Sequence, residues 1–191
     1  EKYKGANTVV LGIPRGGVIT ASVIAQELSL PLGLLIVRKI GHPHNKEFAI
    51  GAISETGQIV VDEAEIGNID SEWFKNESQI ELKEAKRRRA KYWGSRKELI
   101  LKGKDVILVD DGLATGLTME VAIKELKTKQ PHKIIVAVPV SPRDTANILK
   151  EEVDELITLI IPEIFTGSVG AYYEDFPQIE DDEVIRLLNS S

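Results

Sequence analysis

Short, continuous apolar runs separated by polar, helix-length stretches set the rhythm of this chain. Thr8–Ile13, Leu32–Val37, Asp105–Val109 and Lys133–Val138 are apolar without alternation, and Glu155–Ile161 is a poorer fifth run. Such runs mark strands covered on both faces, as in parallel sheets. Helical patterns follow the first, third and fourth runs, at Val18–Leu28, Leu117–Lys127 and Pro142–Lys150. Strands alternating with helices of that length predict right-handed crossovers and an α/β fold. The expected architecture is a parallel sheet of about five strands with helices on both faces, in a single domain over residues 1–191.

The rhythm breaks at roughly residues 40–98. A Gly/Pro/His stretch, Gly41–Asn45, precedes two further apolar runs, Phe48–Ser54 and Gln58–Asp62, joined by Glu55-Thr56-Gly57. That short Gly-containing link predicts a hairpin standing off the sheet as a flap or hood. A long polar helix is expected next, from Ser71 to about Arg96, capped by Asp70 or Ser71, with Trp73, Ile80 and Ala90 among its few apolar positions. From Pro162 onward the Gly- and aromatic-rich sequence reads as a loop lying on the body.

Composition narrows the function classes. The chain contains no cysteine, which excludes disulfides, thiolate metal sites and a cysteine nucleophile and suits a cytoplasmic protein. No apolar run of about 18 residues exists to span a membrane, and no signal-type stretch follows Glu1. A formal net charge of -6 argues against a nucleic-acid partner, since phosphate backbones reward basic surfaces. It leaves room for a small anionic ligand, which feels only the local field.

The candidate chemistry lies in Val106-Ile-Leu-Val-Asp-Asp-Gly-Leu-Ala-Thr-Gly-Leu-Thr-Met119. A strand leads into two carboxylates, a small-residue turn and a helix start. Gly112 and Gly116 let the backbone turn and approach a ligand. Backbone N–H groups between Leu113 and Thr118, at a helix N-terminus, favour an anion, and the hydroxyls of Thr115 and Thr118 add donors. Ionised Asp110 and Asp111 are acceptor-only, so hydroxyl groups or a metal suit them. A sugar phosphate satisfies both halves. The same residues also fit an Asp pair capping the next helix, or a receiver-type acidic pocket.

This stretch resembles the donor-binding signature of type I phosphoribosyltransferases, and Asp-Asp-Gly-Leu-Ala-Thr-Gly-Leu-Thr-Met is especially similar to adenine-type members. The resemblance implies binding of 5-phosphoribosyl-1-diphosphate. Asp110 and Asp111 would hold the ribose hydroxyls. Gly112, Leu113, Ala114, Thr115, Gly116, Leu117 and Thr118 would hold the 5′-phosphate. Two other strand ends carry matching charge, where open parallel sheets bind their ligands. Pro14, Arg15, Gly16 and Gly17 resemble the family's diphosphate loop. Arg38 and Lys39 resemble the Arg-Lys pair of adenine- and orotate-type enzymes; they are expected to bind the diphosphate and act in catalysis. Taken alone, the first is also an ordinary strand–helix turn with a surface Arg, and the second a solvated pair.

Arg38-Lys-Ile-Gly-His-Pro-His-Asn-Lys-Glu-Phe-Ala-Ile-Gly-Ala-Ile53 and Phe165-Thr-Gly-Ser-Val-Gly-Ala-Tyr-Tyr-Glu-Asp-Phe-Pro-Gln178 resemble a group of prokaryotic phosphoribosyltransferases with no agreed acceptor. That group's N-terminal helical lead-in is expected to be missing here. The resemblance implies transfer of a phosphoribosyl group to a nucleobase-like nitrogen, with Mg²⁺ as cofactor and release of diphosphate, in nucleotide metabolism such as purine salvage. The transition state would resemble an oxocarbenium ion, and charge on the departing diphosphate would be met by Mg²⁺, Arg38, Lys39 and Arg15. Lys46, His42 and His44 are either further diphosphate contacts or a polar mobile loop. Ala114 stands where hypoxanthine/guanine-type enzymes carry an acid, which counts against a 6-oxopurine acceptor using that proton path. Phe165 and Tyr172, with Tyr173 and Phe176 nearby, either stack on an acceptor base or anchor the terminal loop by packing. Asp175 is a candidate metal contact, direct or through water.

Lys86-Arg-Arg-Arg-Ala-Lys91 reads better as a solvated helix face paired with Glu81 and Glu84 than as an RNA contact. The rival to an enzyme is a module of the same fold that senses the donor or a nucleotide. A homo-oligomer is left open.

Overall fold

The computed structural model describes residues 2–5 and 7–190. In chain order the elements are β1 (Thr8–Gly12), α1 (Gly16–Leu28), β2 (Leu32–Leu34), β3 (Val37–His42), β4 (Asn45–Ser54), β5 (Ile59–Val61), α2 (Glu63–Ile66), α3 (Ser71–Trp93), β6 (Asp105–Val109), α4 (Leu117–Thr128), β7 (Lys133–Val140), α5 (Arg143–Glu152), β8 (Glu155–Ile160) and α6 (Asp181–Asn189). A single 3₁₀ turn at Val169–Tyr172 lies between the last two. The main sheet runs β2-β1-β6-β7-β8, and every pairing in it is parallel.

Period-2 alternation in these strands sorts the core onto two faces. Val9 and Leu11 of β1, Val106 and Leu108 of β6, and Ile134 and Val136 of β7 share one cluster with α4 and the hood residues Ala49 and Ala52. Val10, Ile107, Val109, Ile135 and Ala137 face the other way, against α1, the end of α3 and α6. Gly12 lets α1 lie directly on β1, since a Cβ there would stand 2.8 Å from the Val18 Cα.

The expected second strand is two strands. Leu32–Leu34 belongs to the edge of the main sheet; the chain then leaves it, and Val37 opens β3 in a separate three-stranded antiparallel sheet ordered β3-β4-β5. The anticipated hairpin is the β4–β5 pair, closed by bonds from Ser54 N–H to Gln58 O (2.9 Å) and from Gly57 N–H to Ser54 O (3.0 Å). A further hairpin, β3–β4, turns at His42–Asn45. Asp70 caps α3 by accepting from Trp73 N–H at 2.7 Å, as expected. The apolar positions of α3 divide between its two sides. Trp73, Phe74 and Leu82 pack on Ile40, Ile50 and Ile53 of the hood, while Ile80 is exposed and so is Ala90.

The stretch after Pro162, read as loop throughout, ends in a helix. In α6, Val184 and Leu188 are buried at i,i+4 spacing, and Ile185 and Leu187 pack against the second core cluster, where α6 meets α1 and α3. The acidic first turn Asp181-Asp182-Glu183 suits the positive end of the helix dipole.

Candidate functional site

Asp110 and Asp111 follow directly on β6, at the carboxyl end of a central strand whose last residue, Val109, pairs with Gly12 of β1. The loop after β1 and the loop after β6 are therefore neighbours, and they touch. A Cβ on Gly16 would lie 1.8 Å from the Asp111 Oδ2, and one on Gly17 would lie 2.8 Å from both the Cα and Oδ1 of Asp110. The two glycines exist to admit the acid pair. The peptide between Pro14 and Arg15 is cis.

The acid pair is electrostatically costly. Burial pushes the Asp110 carboxyl well above its ordinary range, and the charge of Asp111 adds to the rise. Burial raises Asp111 too. Two features pull the other way. The Asp111 N–H donates to the Asp110 Oδ1 at 2.9 Å, and the positive charge of Lys39 lowers both carboxyls. A ligand presenting hydroxyl donors or a cation would relieve the same strain.

Beyond the pair, the loop to α4 is held from outside and left open at its tip. Leu113 N–H donates to Val140 O at 2.9 Å, and Thr145 Oγ1 donates to Ala114 O at 3.0 Å. Gly116 has φ +87° with Thr145 packed against its α-carbon, a conformation that favours glycine. Ala114 and Thr115 are exposed. No side chain caps α4, so its first amides have no side-chain partner, and a helix start of this kind favours an anion.

The cations predicted to surround a diphosphate are separated by the structure. Arg38 and Lys39 are consecutive on β3, so they project to opposite faces. Arg38 pairs through Nε with Glu81 of α3 at 2.7 Å, on the face that carries Ile40 into the α3 contact. Lys39 is exposed and is the one whose charge reaches the acid pair. Arg15 turns to the start of α6, 3.9 Å from Glu180 and 4.0 Å from Asp181. Lys46 and His44 lie in the exposed tip of the hood, with His42 half-buried beside them.

Phe165 and Tyr172 stack on each other at 5.5 Å with planes 16° apart. The Tyr172 hydroxyl accepts from Thr166 N–H at 3.0 Å and donates to Ile164 O at 3.3 Å. This pair closes its own loop. The residues that meet the site are its neighbours. Tyr173 donates from its hydroxyl to Asp111 O at 2.6 Å, and Val169 packs against Gly112, where a Cβ would lie 2.5 Å from Val169 Cγ1. Sequence reasoning noted Tyr173 only as one of several aromatics and passed over Val169 and Thr145. Their connection to the loop is long-range and carries no local signal.

Asp175 is exposed, and among the described residues no three His, Asp or Glu side chains gather to hold a metal. The donor set still fits Mg²⁺, which keeps several waters and needs only one or two carboxylates when a substrate's phosphates supply the rest. Asp110 and Asp111 are the residues that would meet it.

The family model for the phosphoribosyl transferase domain matches residues 1–175. Two proteins from Mycobacterium tuberculosis, strains CDC 1551 and H37Rv, both named as phosphoribosyl transferases, are 36% identical to the chain over 190 residues. Those 190 residues are 98% of this chain but 43% of each relative, so it spans less than half their length. The crystal structure of the TT1426 protein from Thermus thermophilus is 37% identical, with a TM-score of 0.78, covering 97% of this chain and 89% of that one.

Proposed function

The chain belongs to the phosphoribosyl transferase family, and from that premise we propose that it binds 5-phosphoribosyl-1-diphosphate and transfers the phosphoribosyl group to a nucleobase-like nitrogen acceptor. One observation carries the reading: an acid pair, an open helix-start amide loop and a glycine turn meet at the carboxyl ends of adjacent parallel strands. In this proposal Asp110 and Asp111 accept hydrogen bonds from the two ribose hydroxyls. The amides of Gly112 to Thr118 and the hydroxyls of Thr115 and Thr118 hold the 5′-phosphate. Pro14 to Gly17 line the diphosphate, with Lys39 as the cation facing it.

The reaction is displacement at the anomeric carbon. The acceptor nitrogen forms the new bond, the bond to the diphosphate oxygen breaks with its electron pair leaving on that oxygen, and the acceptor sheds one proton to solvent. The role of Lys39 is to meet the charge that develops on the leaving oxygen. Mg²⁺, when bound with the donor, neutralises further phosphate charge. Closure of the hood tip over the site would exclude water, which would otherwise hydrolyse the donor. We assign the wall against the acceptor to Val169 and Tyr173, and the setting to cytoplasmic nucleotide metabolism.

A second reading, a module that binds the donor without turning it over, draws support from the cation geometry. Arg38 and Arg15 are engaged by acidic partners, which leaves the leaving group with less positive charge than the enzyme reading needs. Calorimetry with the donor and Mg²⁺, followed by assay of released diphosphate across a panel of purine and pyrimidine bases, separates the two. Binding with turnover on any base establishes the transferase. Binding with no turnover on all of them establishes the sensor, and no binding rejects both.

A further inference from the structure

Four consecutive residues of the loop after β6 are each held by a neighbour. Leu113 N–H donates to Val140 O and Ala114 O accepts from Thr145, both partners in the β7–α5 passage. Asp111 and Gly112 are held instead by the segment after Pro162. Tyr173 donates to Asp111 O at 2.6 Å, and Val169 packs on the Gly112 α-carbon. The tyrosine is itself braced. Phe176 meets its ring at 4.9 Å between centroids with planes 48° apart, and sits on Gly170, where a Cβ would lie 2.9 Å from Phe176 Cδ1. The Thr20 hydroxyl of α1 faces the Tyr173 oxygen.

A trans peptide is planar, and its C=O and N–H point in opposite directions. Asp111 O and Gly112 N–H belong to one such trans peptide. Holding the oxygen toward Tyr173 therefore turns the Gly112 N–H away from that segment. Gly112 is buried, and among the described residues its N–H has no hydrogen-bond partner. Buried backbone donors are paired in the great majority of cases, so this one calls for an acceptor from a ligand. Glycine also gives the backbone more rotational freedom than any residue with a side chain. Nothing in the sequence of the loop fixes this peptide plane; the tyrosine hydroxyl does.

We infer that Tyr173 is a positioning residue of the donor site. Through the Asp111–Gly112 peptide it orients the Gly112 amide as a donor to the 5′-phosphate, and it steadies the backbone that carries the Asp111 carboxylate. This inference rests on the donor reading proposed above. Tyr173 touches neither the reacting carbon nor the leaving group in it and acts through the main chain. Its influence falls on the ribose phosphate half of the donor. The diphosphate half, assigned to Pro14–Gly17 and Lys39, is held by other segments.

The test compares wild type with Tyr173→Phe, which removes one hydroxyl and keeps the ring on which Phe176 packs. Calorimetry with ribose 5-phosphate, and separately with inorganic diphosphate and Mg²⁺, gives the readout. The expected result is at least a tenfold loss of ribose 5-phosphate affinity, about 1.4 kcal/mol, with diphosphate affinity unchanged. The melting temperature should fall by about 2–4 °C, as the loss of one hydrogen bond gives in a chain of this size. Phe176→Ala leaves the hydroxyl but removes its prop, and its affinity should lie between the two. Equal losses for both ligands, or wild-type affinity for ribose 5-phosphate in folded Tyr173→Phe, overturn the inference. If Tyr173→Phe does not fold, Phe176→Ala carries the comparison, and wild-type affinity there overturns it.

A second readout needs no ligand. In protein labelled with ¹³C and ¹⁵N, the Asp111 carbonyl and Gly112 amide signals should both move in Tyr173→Phe, while those of Val140 and Thr145 stay in place. Should wild type bind neither ribose 5-phosphate nor the donor, the donor reading fails, and these signals alone decide the orienting role. Unmoved, they overturn it as well.

Discussion

Gly17 stands flush against Asp110: a Cβ on the glycine would lie 2.8 Å from the Cα of the aspartate. The atom struck is backbone, so no side-chain rotation relieves it. Gly17→Ala should push the loop after β1 away from the loop after β6. The expected outcome is a stability loss of about 1–3 kcal/mol by thermal melting, together with at least a tenfold, or about 1.4 kcal/mol, weakening of donor binding by calorimetry.

Asp110→Asn/Asp111→Asn should abolish donor binding without unfolding the protein. Both carboxyls are raised above their ordinary value of 3.8 by burial. A raised acid contributes fully below its unfolded value, and that contribution is lost as pH rises through the folded value. The wild type therefore loses stability with rising pH from this pair, and the amide variant does not. Melting temperatures from acid to neutral pH should show the variant gaining on wild type as pH increases. Unchanged donor affinity in the folded variant removes the central proposal.

Lys39 and Arg38 should give opposite phenotypes. Lys39→Met, at an exposed position, should lower the melting temperature only slightly at neutral pH, where the acid pair loses a neighbouring positive charge, and lower donor affinity or turnover by roughly ten- to a hundredfold, about 1.4–2.8 kcal/mol. Arg38→Met strips Glu81 of its 2.7 Å partner on a face where both side chains are largely covered. It should cost about 1–2 kcal/mol of stability with the smaller effect on donor binding.

Glu55→Gln removes a buried carboxyl from the turn between β4 and β5. Its carboxyl is raised from 4.5 to about 7 by burial, against the pull of Arg89. Stability from this group is thus complete below about pH 4.5, declines between there and 7, and stays lost above. Gln carries no such penalty. At pH 8 the variant should be more stable than wild type by about 2–3 kcal/mol, and at pH 4.5 the difference should vanish. Chemical denaturation at the two pH values measures it.

What could be read in advance depended on how local the determinant was. β6 and the turn to α4 are one unbroken segment whose apolar run, carboxylates, glycines and hydroxyls each announce their position, and Asp105–Val109 is the strand observed. The change of sheets after Leu34 left no such trace. Leu35 and Val37 enter the same core as β1, so hydrophobicity runs straight through the switch. Ending a strand at Val37 hid the alternation that turns Arg38 and Lys39 apart. Arg15 was assigned by its glycines, while its acidic neighbours Glu180 and Asp181 lie at the other end of the chain. The last helix did have a legible sign in Val184 and Leu188 at i,i+4 behind an acidic turn; the Gly-rich stretch before it drew attention away.

One rod joins the two halves of this molecule. Helix α4 begins at the proposed phosphate seat, and near its far end Glu125 receives the Ser54 hydroxyl at 3.0 Å and that of Thr56, fastening the base of the hood. The height of the roof is thereby indexed to the floor where the sugar phosphate would rest. Retailoring this scaffold for a different acceptor is best attempted by swapping the outer hairpin at His42–Asn45, which hangs clear of that fastening, with α4 kept as the gauge between the parts.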